Sequence, residues 1–378
     1  MFRSILFVLG NRENRAPAMA FMAIALGFGS WVTRLPEIKQ SLALSEAQLG
    51  TALFFIPLGG VTLLPFYSKI IRAWGERLAT TWSLTVFLLL IVWAGIPNSL
   101  TEWMVILYLL GLSMGLTDVA MNAAASEVES QKKRVIMSAC HGFFSIGGML
   151  GALLGSAFIA TNQPIWIQLV SVSVVLMLLT WTHSAALINS VKTDPSTGFQ
   201  WPKKEVVLLA LVGLCIMMCE GGITDWSTIY LRETLTMPAA YSGLGFAGFS
   251  LFMALGRFSG DFWTVRYGRK RLMIIGALLG LVGLAITFLQ LGFLAILGFS
   301  LAGLGYSVIV PTLFSSAARV EGVSAASGIA SVASAGYIGL LVGPVVIGFI
   351  AEHYGLGNGF AFLLILTLTA LLISFRKL

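Results

Sequence analysis

Charge is scarce in this chain. Lys, Arg, Asp and Glu make up 10% of its 378 residues while 57% are hydrophobic, and mean hydropathy is +0.91. Soluble domains carry roughly 25% charged residues, so an ordinary water-soluble enzyme is excluded. Histidine and cysteine are almost missing, three of each. Cys140, Cys215 and Cys219 lie inside apolar runs without metal or redox spacing and read as packing residues. His141, Asp118 and Cys140 are too sparse a set of ligands for a metal centre. No nucleophile–base motif stands out, and no cofactor is called for. Long polar tracts are lacking too, which leaves no room for a separate catalytic module or signalling domain.

What is there is a series of twelve apolar stretches. They fall at about 16–34, 47–70, 78–98, 102–127, 135–160, 165–187, 206–231, 240–263, 272–290, 293–318, 325–350 and 356–375. A helix needs ~20 mainly apolar residues to cross a ~30 Å hydrocarbon core. Its backbone groups must all be satisfied internally in lipid. The pattern therefore predicts an all-α integral membrane protein of twelve spanning helices, numbered 1 to 12 in chain order. Segment 2–10 is apolar but too short to span. A secretory signal with Ala16-Pro17-Ala18 as its cleavage site is one reading of it; a short interfacial helix is the favoured one, because helix 1 begins at once.

The formal charge of +7 invites a nucleic-acid reading, but its distribution explains it otherwise. With the N-terminus inside, all Lys and Arg residues except Arg34, Lys39 and Arg232 fall on one side. Basic residues hold loops in the cytoplasm, so the expectation is a cytoplasmic (inner) membrane protein with both termini inside. Arg257 is counted among those loop charges. The longest connection, 188–205, carries Lys192, Pro195, Gly198, Pro202, Lys203 and Lys204 and reads as a cytoplasmic linker. It divides an N-terminal bundle, 1–187, from a C-terminal one, 206–378.

These bundles repeat. A shift of 192 carries Gly111 onto Gly303, Gly147 and Gly151 onto Gly339 and Gly343, and Gly29 onto Gly221. A shift of 193 carries Gly75 and Arg77 onto Gly268 and Lys270. Two six-helix bundles in parallel repeat are a transporter architecture.

The connection after helix 8, Gly256-Arg257-Phe258-Ser259-Gly260-Asp261 followed by Arg266-Tyr267-Gly268-Arg269-Lys270, resembles the loop motif of major facilitator transporters. The copy after helix 2 keeps Gly75-Glu76-Arg77 but has Arg72 where an acid is usual. Within that superfamily the chain resembles a bacterial branch near the fucose–proton symporter. The residues that carry this are Trp31-Val32-Thr33-Arg34-Leu35-Pro36, Asp118-Val119-Ala120-Met121-Asn122, His141-Gly142-Phe143-Phe144-Ser145 and Glu220-Gly221-Gly222-Ile223-Thr224-Asp225-Trp226-Ser227. The resemblance implies two bundles related by pseudo-two-fold symmetry, with cargo bound between them. It also implies a latch on the cytoplasmic side built from Gly75, Arg77, Arg257, Asp261, Arg266, Gly268, Arg269 and Lys270; a solvated basic loop is the plain alternative. Two marks of drug exporters are absent: helix 4 has no arginine, and Gly147–Gly155 has no proline, although helix 11 has Gly343-Pro344.

Ionisable residues inside a membrane are costly and usually functional. Asp118 and Asn122, four apart, share a face of helix 4. Asn122 precedes the turn at Lys132 by about as much as His141 follows it, so the three are expected at one depth. They form either a proton-coupling site or a static interhelical hydrogen bond. Under the repeat Asp118 maps onto Val310 and Asn122 onto Phe314, so the fold does not need them.

In helix 7 Glu220 shares a face with Thr224 and could bind cargo or a proton, while Asp225 lies nearer the outer end. Gly221-Gly222 weaken the helix beside it. Arg34, level with helix 7 under the repeat, is expected to gate the outer side by pairing with Asp225 or Glu220; snorkelling to the headgroups is its alternative. Trp31, Trp226, Tyr306 and Tyr337 could stack on a ring-shaped cargo or merely anchor span ends. Of these, Trp226 is the best cavity candidate. The stripe Gly147, Gly151, Gly155 needs only close helix packing.

The expected function is proton-coupled transport of a small polar organic solute, sugar- or vitamin-like, by symport. The sugar suggestion comes from the resemblance alone. The alternatives are a proton-antiporting drug or metabolite exporter and a non-transporting sensor. A monomer is the expected working form, with cargo, protons and the lipid bilayer as its partners and no nucleic acid.

Overall fold

A computed structural model describes residues 2–189 and 204–375; the side chains of 2–4, 261 and 326 fall outside that description. Most of the expected linker 188–205 and the side chain of Asp261 therefore lie outside the described residues. Everything that is described is helix or short connection.

The short helix Phe2–Gly10 leads into α1 (Arg12–Val32), whose first turn is capped by Asn11 accepting from the Glu13 N–H. Helical structure then runs, with one 3-10 turn, through Glu46–Ala94. Its 49 residues would make a rod of about 74 Å at 1.5 Å per residue, more than twice a hydrocarbon core. Gly75, at φ 75° and ψ 158°, breaks the rod, giving α2 (46–74) and α3 (76–94). Apart from short helices such as Leu35–Ser41 and Ala239–Ser242, the remaining helices are α4 (Leu100–Lys132), α5 (Met137–Ala160), α6 (Ile165–Ser184), α7 (Val207–Ile229), α8 (Leu244–Tyr267), α9 (Arg269–Thr287), α10 (Gly292–Tyr306 and Ile309–Ala317), α11 (Ala325–Tyr354) and α12 (Leu356–Phe375).

The expected span 293–318 is one bilayer-length segment, Gly292–Ala317, whose helix is interrupted within it. Pro311 lacks an N–H and its ring crowds the carbonyl four residues back, at Ser307, where α10 is interrupted. Pro65 sits likewise in the 3-10 turn Leu64–Phe66 of α2. Ser99 and Ser324 cap α4 and α11 through their hydroxyls.

The contacts divide the chain into two compact units. Unit 1 is Met1–Leu42 with Phe55–Ser196, and unit 2 is Ala43–Phe54 with Thr197–Leu378. Residues 43–54, the connection into α2 with its first turns, cluster with unit 2. There the Glu352 carboxylate of α11 accepts from the Ala47 N–H at 2.8 Å and Gly50 lies against the Pro344 backbone.

The internal repeat holds at the level of single contacts. In unit 1 Gly147 and Gly151 of α5 lie on the backbone of Met22 and Leu26 of α1. In unit 2 Gly339 and Gly343 of α11 lie on Leu214 and Met218 of α7, each residue 192 further on. Gly111 of α4 meets the Ile56 carbonyl of α2, and Gly303 of α10 meets that of Phe249 in α8. Small residues let backbones approach where lipid supplies no hydrophobic drive between helices. Gly75 and Gly268 share nearly one backbone conformation (φ 75°, ψ 158° and φ 78°, ψ 159°), in a region open essentially to glycine.

Candidate functional site

In unit 2 the chemistry gathers on α7. Glu220 lies midway along this 23-residue helix. One of its carboxylate oxygens, Oε2, is 4.0 Å from Nη2 of Arg257 on α8, and each side chain is 19% exposed. The other, Oε1, is buried with no hydrogen-bond partner among the described residues. Buried polar atoms are nearly always partnered, and an intramembrane charge is costly, so a half-satisfied acid at this depth stands out. Under the repeat Glu220 maps onto Phe28 and, with the shift of 193, Arg257 onto Leu64. Unit 1 folds without the pair.

Arg257 corrects the sequence reading. Counted there as a loop charge and placed in the latch, it lies ten residues before the end of α8, inside a stretch apolar enough to cross a membrane. Its signal was present in the sequence: the expected span 240–263 already encloses position 257, and the helix runs on to Tyr267. The other latch residues lie around the two glycine turns. Asn189 accepts from the Arg77 N–H at 2.9 Å, its side chain set over Gly75, and Lys270 donates to the Phe375 carbonyl at 3.1 Å.

Around Glu220 the neighbours are polar but committed. Thr224 donates to the Glu220 carbonyl one turn back, at 2.8 Å. The Tyr306 hydroxyl is 2.6 Å from Thr367 Oγ1, and Cys219 Sγ is 3.4 Å from the same oxygen. Asp225 is half-buried and has neither hydrogen bond nor ion pair among the described residues. Trp226, the favoured cavity aromatic, is fully buried, its ring against Gly348 of α11 and its indole N–H without an acceptor among the described residues. Tyr306 is fully buried as well, and Tyr337 is 40% exposed.

In unit 1 Asn122 donates to the Asp118 side chain at 3.2 Å and to its carbonyl at 2.8 Å. His141 sets its ring edge-on to Phe21 of α1, centroids 5.0 Å apart. Trp31 is fully buried and donates to the Ala94 carbonyl at 3.2 Å, as Trp103 does at 3.0 Å.

Arg34 is also placed differently from the expectation. It is 3% exposed, and its partners belong to unit 1. Nε donates to Gln168 Oε1 at 2.6 Å, Nη1 to both oxygens of Glu37 at 2.7 Å, and Nη2 to the Gln163 carbonyl at 2.8 Å. Gln168 in turn donates to Ser30 of α1. The sequence reading sought a partner on helix 7 and overlooked Glu37, three residues on. A separate cleft between α1, α3 and α6, lined by Met19, Ala20, Thr80, Leu176, Thr180 and His183, contains none of the candidate acids. No cluster of three or more His, Cys, Asp or Glu able to hold a metal occurs among the described residues.

Bilayer-length helices in two repeated units, with a few acids held inside them, define a membrane transport protein. Comparison with known proteins makes the class specific. The family model of the Major Facilitator Superfamily matches residues 17–243 and again 209–378, and the chain belongs to that family. It is 31% identical to an uncharacterised MFS-type transporter of Yersinia pestis, over 95% of this chain and 94% of the other. It is 28% identical to membrane protein MosC of Rhizobium meliloti, over 92% and 86%. Among solved structures, the nucleoside transporter NupG superposes with a TM-score of 0.72 at 15% identity, covering 97% of this chain and 98% of that one. A bacterial homologue of the human lysosomal transporter Spinster superposes at 0.75 with 12% identity, covering 95% of each. At such identities these two speak for the fold alone.

Proposed function

We propose that this transporter moves a small polar organic solute across the cytoplasmic membrane, coupled to protons and by alternating access, with cargo and proton travelling together. The observation that carries the reading is Glu220, an acid midway along a membrane-length helix, with one carboxylate oxygen buried and unpartnered among the described residues and no acid at the repeat position Phe28. A carboxyl that is not fixed by several hydrogen bonds can change partners as it gains or loses a proton, which a coupling site requires. Asp118, held among the described residues by Asn122 alone, is the second proton-binding candidate. Gly75, Arg77, Arg266, Gly268, Arg269 and Lys270 would serve the cytoplasmic latch, and both termini would lie inside by the distribution of Lys and Arg.

The test begins with thermal unfolding of the purified protein against sugars, vitamins, nucleosides, organic acids and antibiotics, since a binder stabilises according to its occupancy. Any stabilising solute is then followed in proteoliposomes under an imposed pH gradient, in the wild type and in Glu220→Gln. Uptake driven by inward proton flow and lost in Glu220→Gln is the expected result. Uptake indifferent to both the gradient and the substitution would sink the reading. Uptake driven by the opposite gradient would make the protein an antiporting exporter.

A further inference from the structure

The geometry of the Glu220–Arg257 pair carries the reading of Glu220 as the proton site one step further, to the charge of the cargo. We propose that the pair binds a small organic anion, a carboxylate-bearing solute drawn by Arg257, and that this anion binds together with a proton on Glu220.

A guanidinium does not give up its proton under physiological conditions. Arg257 therefore keeps a full positive charge ten residues inside a membrane-length helix. At 4.0 Å its contact with Glu220 is an ion pair too long for a hydrogen bond. Each partner is 19% exposed, so the pair is reachable and not sealed. Arg257 has contacts besides this one; the anion site rests on its fixed charge and its partial exposure.

A cargo carboxylate on Arg257 would stand within a few ångströms of Glu220. Like charges that close disfavour each other's ionised form, so an ionised Glu220 and a bound anion exclude one another. A proton on Glu220 ends the conflict. It also turns the acid into a hydroxyl donor, and Oε1 has no other partner among the described residues to engage. The linkage is reciprocal, so a bound anion tightens the hold of Glu220 on its proton by the same factor. A cationic cargo would face Arg257, and a neutral one would gain nothing from its charge.

Among the described residues, the other titratable groups acting around Glu220 are Cys219 on α7 and Tyr306 on α10, both tied to Thr367 of α12. On α11 the closest approach to the neighbouring Gly221 is the apolar Leu340. Asp225 lies about a turn and a half further along α7. Arg257 is the cation in this group.

The experiment is thermal unfolding of the full-length protein from about pH 5.5 to about pH 8 against three sets of probes. These are lactate, gluconate and quinate as acids, glycerol, glucose and inositol as neutral solutes, and choline and glucosamine as cations. The expected result is stabilisation by acids alone, with apparent affinity rising roughly tenfold per unit fall in pH while one linked proton is taken up. Glu220→Gln should keep the acid effect and lose its pH dependence. Arg257→Gln should abolish it, and Arg257→Lys should retain a weaker form. Should Arg257→Gln not fold, the wild-type probe series and the Lys variant still decide.

Stabilisation by neutral or cationic probes in place of acids, acid binding that ignores pH, or no response to any acid would each overturn the anion site. A neutral solute taken up with protons through Glu220 would overturn it while leaving the transport reading intact. Conversely, acid binding whose pH dependence survives Glu220→Gln would move the proton site elsewhere and sink both.

Discussion

Arg34 Nε donates to Gln168 Oε1 at 2.6 Å, which joins the C-terminal end of α1 to the first turn of α6 across 134 residues of sequence. Arg34 is 3% exposed and Gln168 not at all. At the repeat-related positions of unit 2 stand Trp226 and Phe360, both buried. Unit 1 has a polar network at these positions, and unit 2 has buried aromatic side chains.

If Arg34 serves to hold α1 on α6, its loss is a loss of stability. Gln168→Leu strands the Arg34 Nε–H in a buried place, at a cost of about 1–3 kcal/mol, while the Ser30 carbonyl keeps the Thr33 hydroxyl as its donor. Thermal unfolding in detergent should show the drop. A variant that unfolded like the wild type yet transported poorly would return Arg34 to a gating role.

The two glycine seams should respond alike. A Cβ at Gly147 meets the Met22 carbonyl, and one at Gly339 meets that of Leu214. Overpacking of this kind costs typically about 1–3 kcal/mol, so Gly147→Val and Gly339→Val should both lower the unfolding midpoint. Gly357→Ala, where nothing lies within 4 Å, is the control and should leave it in place.

Gly268 separates backbone strain from crowding. A Cβ there would touch nothing, yet φ 78° and ψ 159° is a conformation that other residues hold at a cost of about 1–3 kcal/mol. Gly268→Ala should therefore destabilise despite the open space. Gly75→Ala should cost more, because its Cβ would also strike Asn189. Equal unfolding midpoints for Gly268→Ala and wild type would refute this account of the turn.

The two buried tryptophans should differ. Trp31 donates to the Ala94 carbonyl, whereas the Trp226 indole N–H has no acceptor among the described residues. Trp31→Phe forfeits a hydrogen bond worth about 1 kcal/mol on top of its lost packing. Trp226→Phe loses packing alone and should be the milder change by chemical denaturation.

Much of the fold was legible because its determinants are local. The run of apolar residues that makes a span is read within ~20 positions. Gly75 and Gly268 announced their turns by repeating at a shift of 193, and the Gly147 stripe announced close packing before its partner was known. Pro311 carried the break in α10, which a reading by hydropathy passed over because proline in an apolar run scarcely changes the average.

The sequence by itself determined the class, the number of spans and the repeat, and it picked out the few acids inside apolar spans, Glu220 and Asp118 among them. Tertiary structure alone decided who meets whom: Arg257 with Glu220, Arg34 with Gln168 and Glu37, Trp31 with the Ala94 carbonyl. The reason lies in the solvent. In water an amphipathic stripe shows which face of a helix turns inward, but lipid tails are as apolar as a protein core. A spanning helix can be apolar all round, so its sequence leaves open which side chains face a neighbour and which face lipid. Only the packed helices settle that.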